Sequence, residues 1–240
     1  NDLMKKIDSR TKMLILCSPH NPVGRVWSRE ELEQLGEICL KNGVLVVSDE
    51  IHFDIVFKNS VHVPFASISE KFKMNSITCT APSKTFNIAG LHSAYCIIFD
   101  NEKMNTYKKE LSLLDLNRSN VFSRVVTQAV YEQGAEWVDE LIEYLEGNAN
   151  FVYDYINKNI RGIRPTKMQG TYLMWLDCRE LGLNEKEIDK LFVDKAGLAL
   201  DSGYWFGENG RGFMRLNLGC PRALLENAME KLKKATVEVI

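Results

Sequence analysis

The 240-residue sequence contains no apolar run of the roughly 18 residues that a membrane-spanning helix needs. It is polar in character from Asn1 through Thr11, which does not read as a signal peptide. Neither sign of charge is in marked excess: 30 Lys and Arg stand against 32 Asp and Glu, with no block of like charge. Nucleic acid and membrane surfaces are therefore not expected partners. The six cysteines (Cys17, Cys39, Cys79, Cys96, Cys178 and Cys220) lack Cys-x-x-Cys or Cys-x-x-His spacing, which argues against a zinc site or a disulfide framework. Most fall in apolar strand or helix patterns, where a reduced cysteine packs as a small hydrophobe. Reduced thiols and a cytoplasmic location are the expectation. An initial Met is also lacking, and the strand-like run "KMLILC" begins as early as residue 12, as in a piece of a longer protein.

Hydrophobic residues make up 45% of the chain, enough to bury a sizeable core. The first half alternates strand and helix. "KMLILC" (12–17) leads through the Pro/Gly loop "SPHNPVGR" into a helical pattern, "SREELEQLGEICLKNG". Ser28 and Glu31 form a capping box, Leu32, Leu35, Ile38 and Cys39 share a face, and Gly43 ends the helix. "VLVVSDE" (44–50), "SITCTA" (76–81) and "AYCIIFD" (94–100) read as further strands. Such a pattern predicts a parallel or mixed sheet covered by helices, an α/β class. From about Asn117 to Ile160 the pattern is helical throughout. Strand "TYLMWLD" (171–177), helix "EKEIDKLFVDKAG" (185–197), strands "LALD" and "GFMRLNL", and helix "RALLENAMEKLKKATVEV" follow, an α+β arrangement. The boundary between the two halves is placed near residue 125.

In open α/β sheets, polar residues just past the carboxyl ends of strands face the ligand crevice. Asn21 follows the first strand, Asp49 ends the second, and Lys84 follows the third in "TAPSKTFNIAGLHSAY". Singly, each has a plain alternative: Asn-Pro forms turns, Asp after a strand caps helices, and a loop lysine is usually solvated. Together they match the needs of pyridoxal 5'-phosphate. That cofactor takes a lysine amine at its aldehyde and an acid at its pyridine nitrogen, and it benefits from a donor at its phenolic oxygen. Burial or nearby positive charge would lower the lysine pKa toward the reactive amine.

"NPVGRVWSREEL", "VVSDEIHFD", "SKTFNIAGL", "GTYLMWLD" and "GRGFMRLNLGCPR" occur in this order. The sequence thereby resembles pyridoxal-phosphate enzymes of the class I/II aminotransferase family (fold type I). It is most similar to the carbon–sulfur lyase branch, of cystathionine β-lyase type. The resemblance covers about Lys12 to Arg222. It implies Lys84 as the cofactor-bound lysine, Asp49 at the pyridine nitrogen, Asn21 at the phenolic oxygen and Arg215 as the clamp on the substrate α-carboxylate. Ser83 is implied as a phosphate contact.

Two positions depart from the aminotransferase pattern toward the lyase branch: His52 stands where many members have Tyr, and His92 where they have a phosphate-binding Arg. A core histidine is the alternative for His92, while His20 and His62 read as loop residues. The resemblance implies residues 1–125 as the remainder of a large cofactor-binding domain with a mostly parallel sheet, and 126–240 as a small α+β domain. Its glycine-containing phosphate loop and ring-stacking aromatic lie upstream of the matched region, so the chain reads as a C-terminal portion, expected to be silent alone.

The implied activity of the parent is β-elimination from an S-substituted cysteine, yielding a thiol, pyruvate and ammonia. An amino-acid aminotransferase is the runner-up, and a non-catalytic relic of the fold is the alternative of another class. The implied partners are a small amino-acid substrate and a second subunit in a homodimer.

Overall fold

The computed structural model describes residues 2–237, arranged as two compact units: Asn1–His20 with Val26–Glu140, and Asn21–Arg25 with Leu141–Ile240. In the first unit a short helix α1 (Asp2–Lys6) precedes β1 (Met13–Cys17), α2 (Arg29–Lys41) and β2 (Leu45–Asp49). Then come α3 (Glu70–Met74), β3 (Ser76–Thr80), the single-turn α4 (Pro82–Thr85), β4 (Tyr95–Ile97), α5 (Asn101–Leu113) and α6 (Val121–Gln133). The long helix α7 (Ala135–Asn159) contains the Glu140–Leu141 division, later in the chain than the position near 125 read from the sequence.

The four strands lie in the order β1-β2-β3-β4. The first three run parallel and β4 returns antiparallel, so the fold is α/β with a mixed, mostly parallel sheet. Helix α2 begins where the sequence places it: Ser28 Oγ accepts from Glu31 N–H, and Glu31 Oε2 accepts from Ser28 N–H. Its Leu32 and Cys39 are fully buried against Leu16 and Val46 of the sheet, against Val44 just before β2, and against Phe65 and Phe72. Phe65 and Phe72 stack with ring centroids 5.1 Å apart. Glu50, just past β2, is buried yet fully engaged. Its Oε1 accepts from Ser48 Oγ and Phe65 N–H, and His62 Nε2 lies 2.9 Å from its Oε2.

The second unit has its own antiparallel sheet, order β5-β6-β8-β7, from β5 (Arg164–Pro165), β6 (Leu173–Asp177), β7 (Asp201–Ser202) and β8 (Phe213–Asn217). Leu145, Val152 and Ile156 of α7 are buried here, as are Met174, Leu176 and Met214 from the strands. Helix α8 (Glu185–Lys190) loosens into a π-helical turn over Leu191–Lys195, and α9 (Arg222–Val237) buries Leu225, Met229 and Leu232.

Several expectations are corrected. The stretch 117–160 is two helices, parted at Gly134, rather than helical throughout. "LALD" is not a full strand: Leu198 N–H bonds to Phe192 carbonyl, and ladder pairing covers only Asp201–Ser202. β6 starts at Leu173 because Thr171 adopts φ +64, outside the extended region. The end of the last predicted helix, Glu238–Val239, lies outside the described residues.

Candidate active site

The register of the first sheet sets Asp49 in a row. Cys17 pairs with Asp49 across β1 and β2, Asp49 with Cys79 across β2 and β3, and Cys79 with Cys96 across β3 and β4. Side chains on one register line of a sheet share a face. The Asp49 carboxylate is half-buried, and Oδ1 accepts from Ile51 N–H at 3.3 Å. Burial pushes its pKa above the usual carboxylate value. The Ile51 hydrogen bond and the charge of Lys84 pull the other way, while Glu50 adds to the rise. Asp49 and Lys84 are therefore electrostatic neighbours.

Lys84 stands in α4, one residue before its end. Ala81 is extended and Pro82 opens the turn, where its fixed φ suits a helix start and its missing N–H costs nothing. Phe86 N–H closes the turn on Pro82 carbonyl. The two residues that follow Lys84 pin the turn. The buried Thr85 donates its hydroxyl to Asp54 Oδ2 at 2.8 Å. Phe86 packs edge-on to Tyr131 and nearly parallel to Trp137, with centroids at 5.5 and 6.1 Å. Gly134 leaves room for that ring, since a Cβ there would come within 2.6 Å of Phe86. Burial also raises the Asp54 pKa, with Thr85 opposing. Asp54 and Phe86 hold this turn; both lie inside the quoted motifs "VVSDEIHFD" and "SKTFNIAGL" without having been singled out there.

Ser83 is half-buried beside Lys84, and His52 is buried in the turn after β2, where its carbonyl accepts from Ile55 N–H. His92 is exposed and left-handed, φ +50, at the end of a 3₁₀ turn Ala89–Leu91. It is not a core histidine. On the opposite face of the sheet from Asp49, a cavity of about 520 Å³ is lined by Thr78, Thr80, Tyr95 and Ile97, among others. It takes none of the sequence-predicted site residues.

Asn21 and Arg215 belong to the second unit. Arg215 on β8 is the register partner of Asp201 on β7. Its Nε donates to Asp201 Oδ2 at 2.9 Å, and Nη2 donates to the same oxygen. Nη1 donates to Asn21 Oδ1 at 2.9 Å. The guanidinium lies over the Phe206 ring, 4.9 Å from its centroid, and Phe206 is held edge-on by Trp175. Burial raises the Tyr172 phenol pKa, with the charge of Arg215 opposing. Asp201 and Phe206 were not legible as site residues, because only strand pairing sets Asp201 beside Arg215. The structure thus groups the predicted residues in two sets: Asp49, Lys84, Ser83, His52 and His92 in the first unit, Asn21 and Arg215 in the second.

The first unit thus carries an acid at the end of one strand of a mixed sheet and a lysine in the turn after the next strand. The aminotransferase class I and II family profile matches residues 1–232, and the chain belongs to that family. Cystathionine beta-lyase PatB of Bacillus subtilis (strain 168) is 43% identical over 235 residues, covering 98% of this chain and 61% of that protein. Cystalysin from Treponema denticola, whose crystal structure contains pyridoxal 5'-phosphate, superposes with a TM-score of 0.93 at 36% identity, over 95% of this chain and 58% of that one. The PLP-bound C–S lyase from Staphylococcus hominis gives a TM-score of 0.85 at 35% identity, over 94% and 57%. The chain spans about 60% of the length of the relatives it matches. Among the described residues no helix is long and apolar enough to cross a membrane.

Proposed function

We propose that the protein to which this chain belongs is a pyridoxal 5'-phosphate-dependent carbon–sulfur β-lyase acting on S-substituted cysteines such as cystathionine. The observation that carries this reading is a half-buried Asp49 carboxylate at the end of β2 within electrostatic reach of Lys84 in the turn after β3. The donor set fits the cofactor. Asp49 is an acid for the pyridine nitrogen, Lys84 an amine for the aldehyde, and Ser83 and His92 donors for the phosphate. Because Asn21 gives its carbonyl oxygen to Arg215, its amide N–H groups remain for the phenolic oxygen. His52 lies in the turn that follows Asp49 and completes the set.

When bound, pyridoxal phosphate supplies an electron sink for the charge left at the substrate Cα. The remaining work falls to the chain. Three of Arg215's five N–H groups are engaged by Asp201 and Asn21, which leaves one on each terminal nitrogen for a two-point hold on the α-carboxylate. The Lys84 amine takes the Cα proton, and a thiolate leaves from Cβ. In this reading the first unit is the remainder of the cofactor-binding domain and the second is the small domain. The working enzyme is a cytoplasmic homodimer. The named lyases and the PLP-bound C–S lyase structure, 34–43% identical, support the choice of lyase over aminotransferase.

The test is to supply the purified full-length protein with L-cystathionine, and separately with an amino acid plus 2-oxoglutarate. Pyruvate and homocysteine from the first are expected. Amino transfer without pyruvate would replace this reading with an aminotransferase. Lys84→Ala should remove both turnover and the visible absorbance of the bound cofactor.

A further inference from the structure

Two thiols face each other across β3 and β4 of the first sheet. Cys79 of β3 and Cys96 of β4 are direct antiparallel partners, with Sγ atoms 3.7 Å apart. Directly opposed residues in an antiparallel pair have Cα separations of about 4.5–5.5 Å. Disulfides span Cα separations of about 4.4–6.8 Å, so closing an S–S bond here asks for side-chain rotation and no backbone rearrangement.

Access and chemistry favour the same pair. Cys39 and Cys178 are buried, whereas Cys79 and Cys96 are half-buried. Tyr107 donates its hydroxyl to Cys96 Sγ at 3.4 Å. The hydrogen bond from the Cys79 thiol holds the Cys96 thiol well below the ordinary range, against burial and with help from Tyr107. That same contact pushes the Cys79 thiol up, with burial adding to it. A proton shared between facing thiols leaves one sulfur free to act as nucleophile while the other carries the proton, the asymmetry on which thiol oxidation depends. Cys17 shares the register row, but β2 with Asp49 separates it from Cys79.

We propose that Cys79 and Cys96 form a reversible redox pair that closes to a cross-strand disulfide on exposure to a hydroperoxide. The Cys96 thiolate attacks one peroxide oxygen, the O–O bond breaks, and hydroxide leaves to be protonated to water. Cys96 is then a sulfenic acid. The Cys79 sulfur attacks Cys96 Sγ, the S–O bond breaks, and the departing hydroxide takes the Cys79 proton as a second water. The two thiols together lose two electrons and two protons, and hydrogen peroxide is reduced to two waters. A small thiol in excess returns the pair to its reduced form by exchange. The bond forms next to Asp49 in the register row, so the pair ties β4 to the strand beside that acid. This inference stands independently of the lyase reading.

The experiment is thiol counting and peptide mapping on the purified protein before and after hydrogen peroxide. Of the six thiols in residues 1–240, four are expected to remain titratable in denaturant. The Cys79 and Cys96 peptides should be recovered linked, two hydrogens lighter than their sum, and dithiothreitol should restore both thiols. Cys79→Ser and Cys96→Ser should each abolish the link, and Cys17→Ser should retain it. Retention of all six thiols would overturn the proposal. So would a link between other cysteines or between two chains, or conversion of Cys96 to sulfinic acid with no link.

Discussion

Arg215 donates through Nη1 to Asn21 Oδ1 at 2.9 Å, although 194 positions separate the two residues in sequence. One hydrogen bond therefore fixes the rotation of an amide and one edge of a guanidinium together. With Asp201 on the other side, the cation is held in place before any ligand arrives. Such preorganisation lowers the ordering cost of binding.

The first prediction follows from that hold. In the full-length enzyme, Arg215→Ala should raise KM for an S-substituted cysteine, at a cost of about 2–5 kcal/mol for losing one partner of a desolvated charge pair. Steady-state kinetics read this directly, and an unchanged KM would remove Arg215 from carboxylate binding.

A second prediction concerns Asp49 and pH. Its folded pKa is raised, chiefly by burial, so the folded cofactor-free protein holds this proton more tightly than the unfolded chain does. Stability falls wherever the folded state binds more protons and pH rises. The Asp49 contribution is therefore fully present below the ordinary value of 3.8 and is lost as pH climbs from there through the raised value. Asp49→Asn should cancel that loss, making the cofactor-free protein more resistant to urea near neutral pH while impairing cofactor binding. Urea midpoints measured across this range for both proteins should diverge as pH rises and then run parallel. Coincident curves would contradict the burial argument.

A third prediction tests the core. Alanine in place of a mid-helix glycine ordinarily stabilises by about 1 kcal/mol. Gly36 in α2 should behave oppositely, because a Cβ there would sit 2.4 Å from carbons of the Phe72 ring. Phe72 is 2% exposed and stacked on Phe65, so the ring has nowhere to retreat. Overpacking of this kind costs about 1–3 kcal/mol. Gly36→Ala should lower the urea midpoint; a rise would mean that the ring pair slides.

The legible parts of the sequence were those where a local pattern carries the signal. β-branched runs gave the strands, and Ser28 with Glu31 gave the start of α2. What escaped depends on pairing between distant segments. Asp201 matters because β7 lies beside β8, and the thiol pair exists because β4 returns antiparallel along β3. Neither register is written in either strand alone. Helix α5 escaped for a different reason: none of its residues is buried, so its polar composition carries no apolar stripe to mark a face. The turn holding Lys84 reads as an irregular loop because four residues are too few for periodicity, although Pro82 at its first position is a helix-opening residue.

The second unit is discontinuous in sequence. Its five-residue segment Asn21–Arg25 leaves and re-enters the first unit, and the rest begins only at Leu141. Thr166 Oγ1 donates to the Val23 carbonyl, Gln169 and Gly170 donate their N–H groups to the Gly24 carbonyl, and Arg215 reaches Asn21. A gene fragment starting at Leu141 would therefore encode a body with unsatisfied donors and an arginine stripped of one tether. Cleaving the peptide chain once inside α7 would not free the later body either, because the short segment stays threaded into it while remaining covalently part of the other. During synthesis those five residues emerge long before their partners and must wait for more than a hundred others to be translated. The joint thus behaves as a stitch passed through twice, and the two units are inherited, cut and folded as a pair.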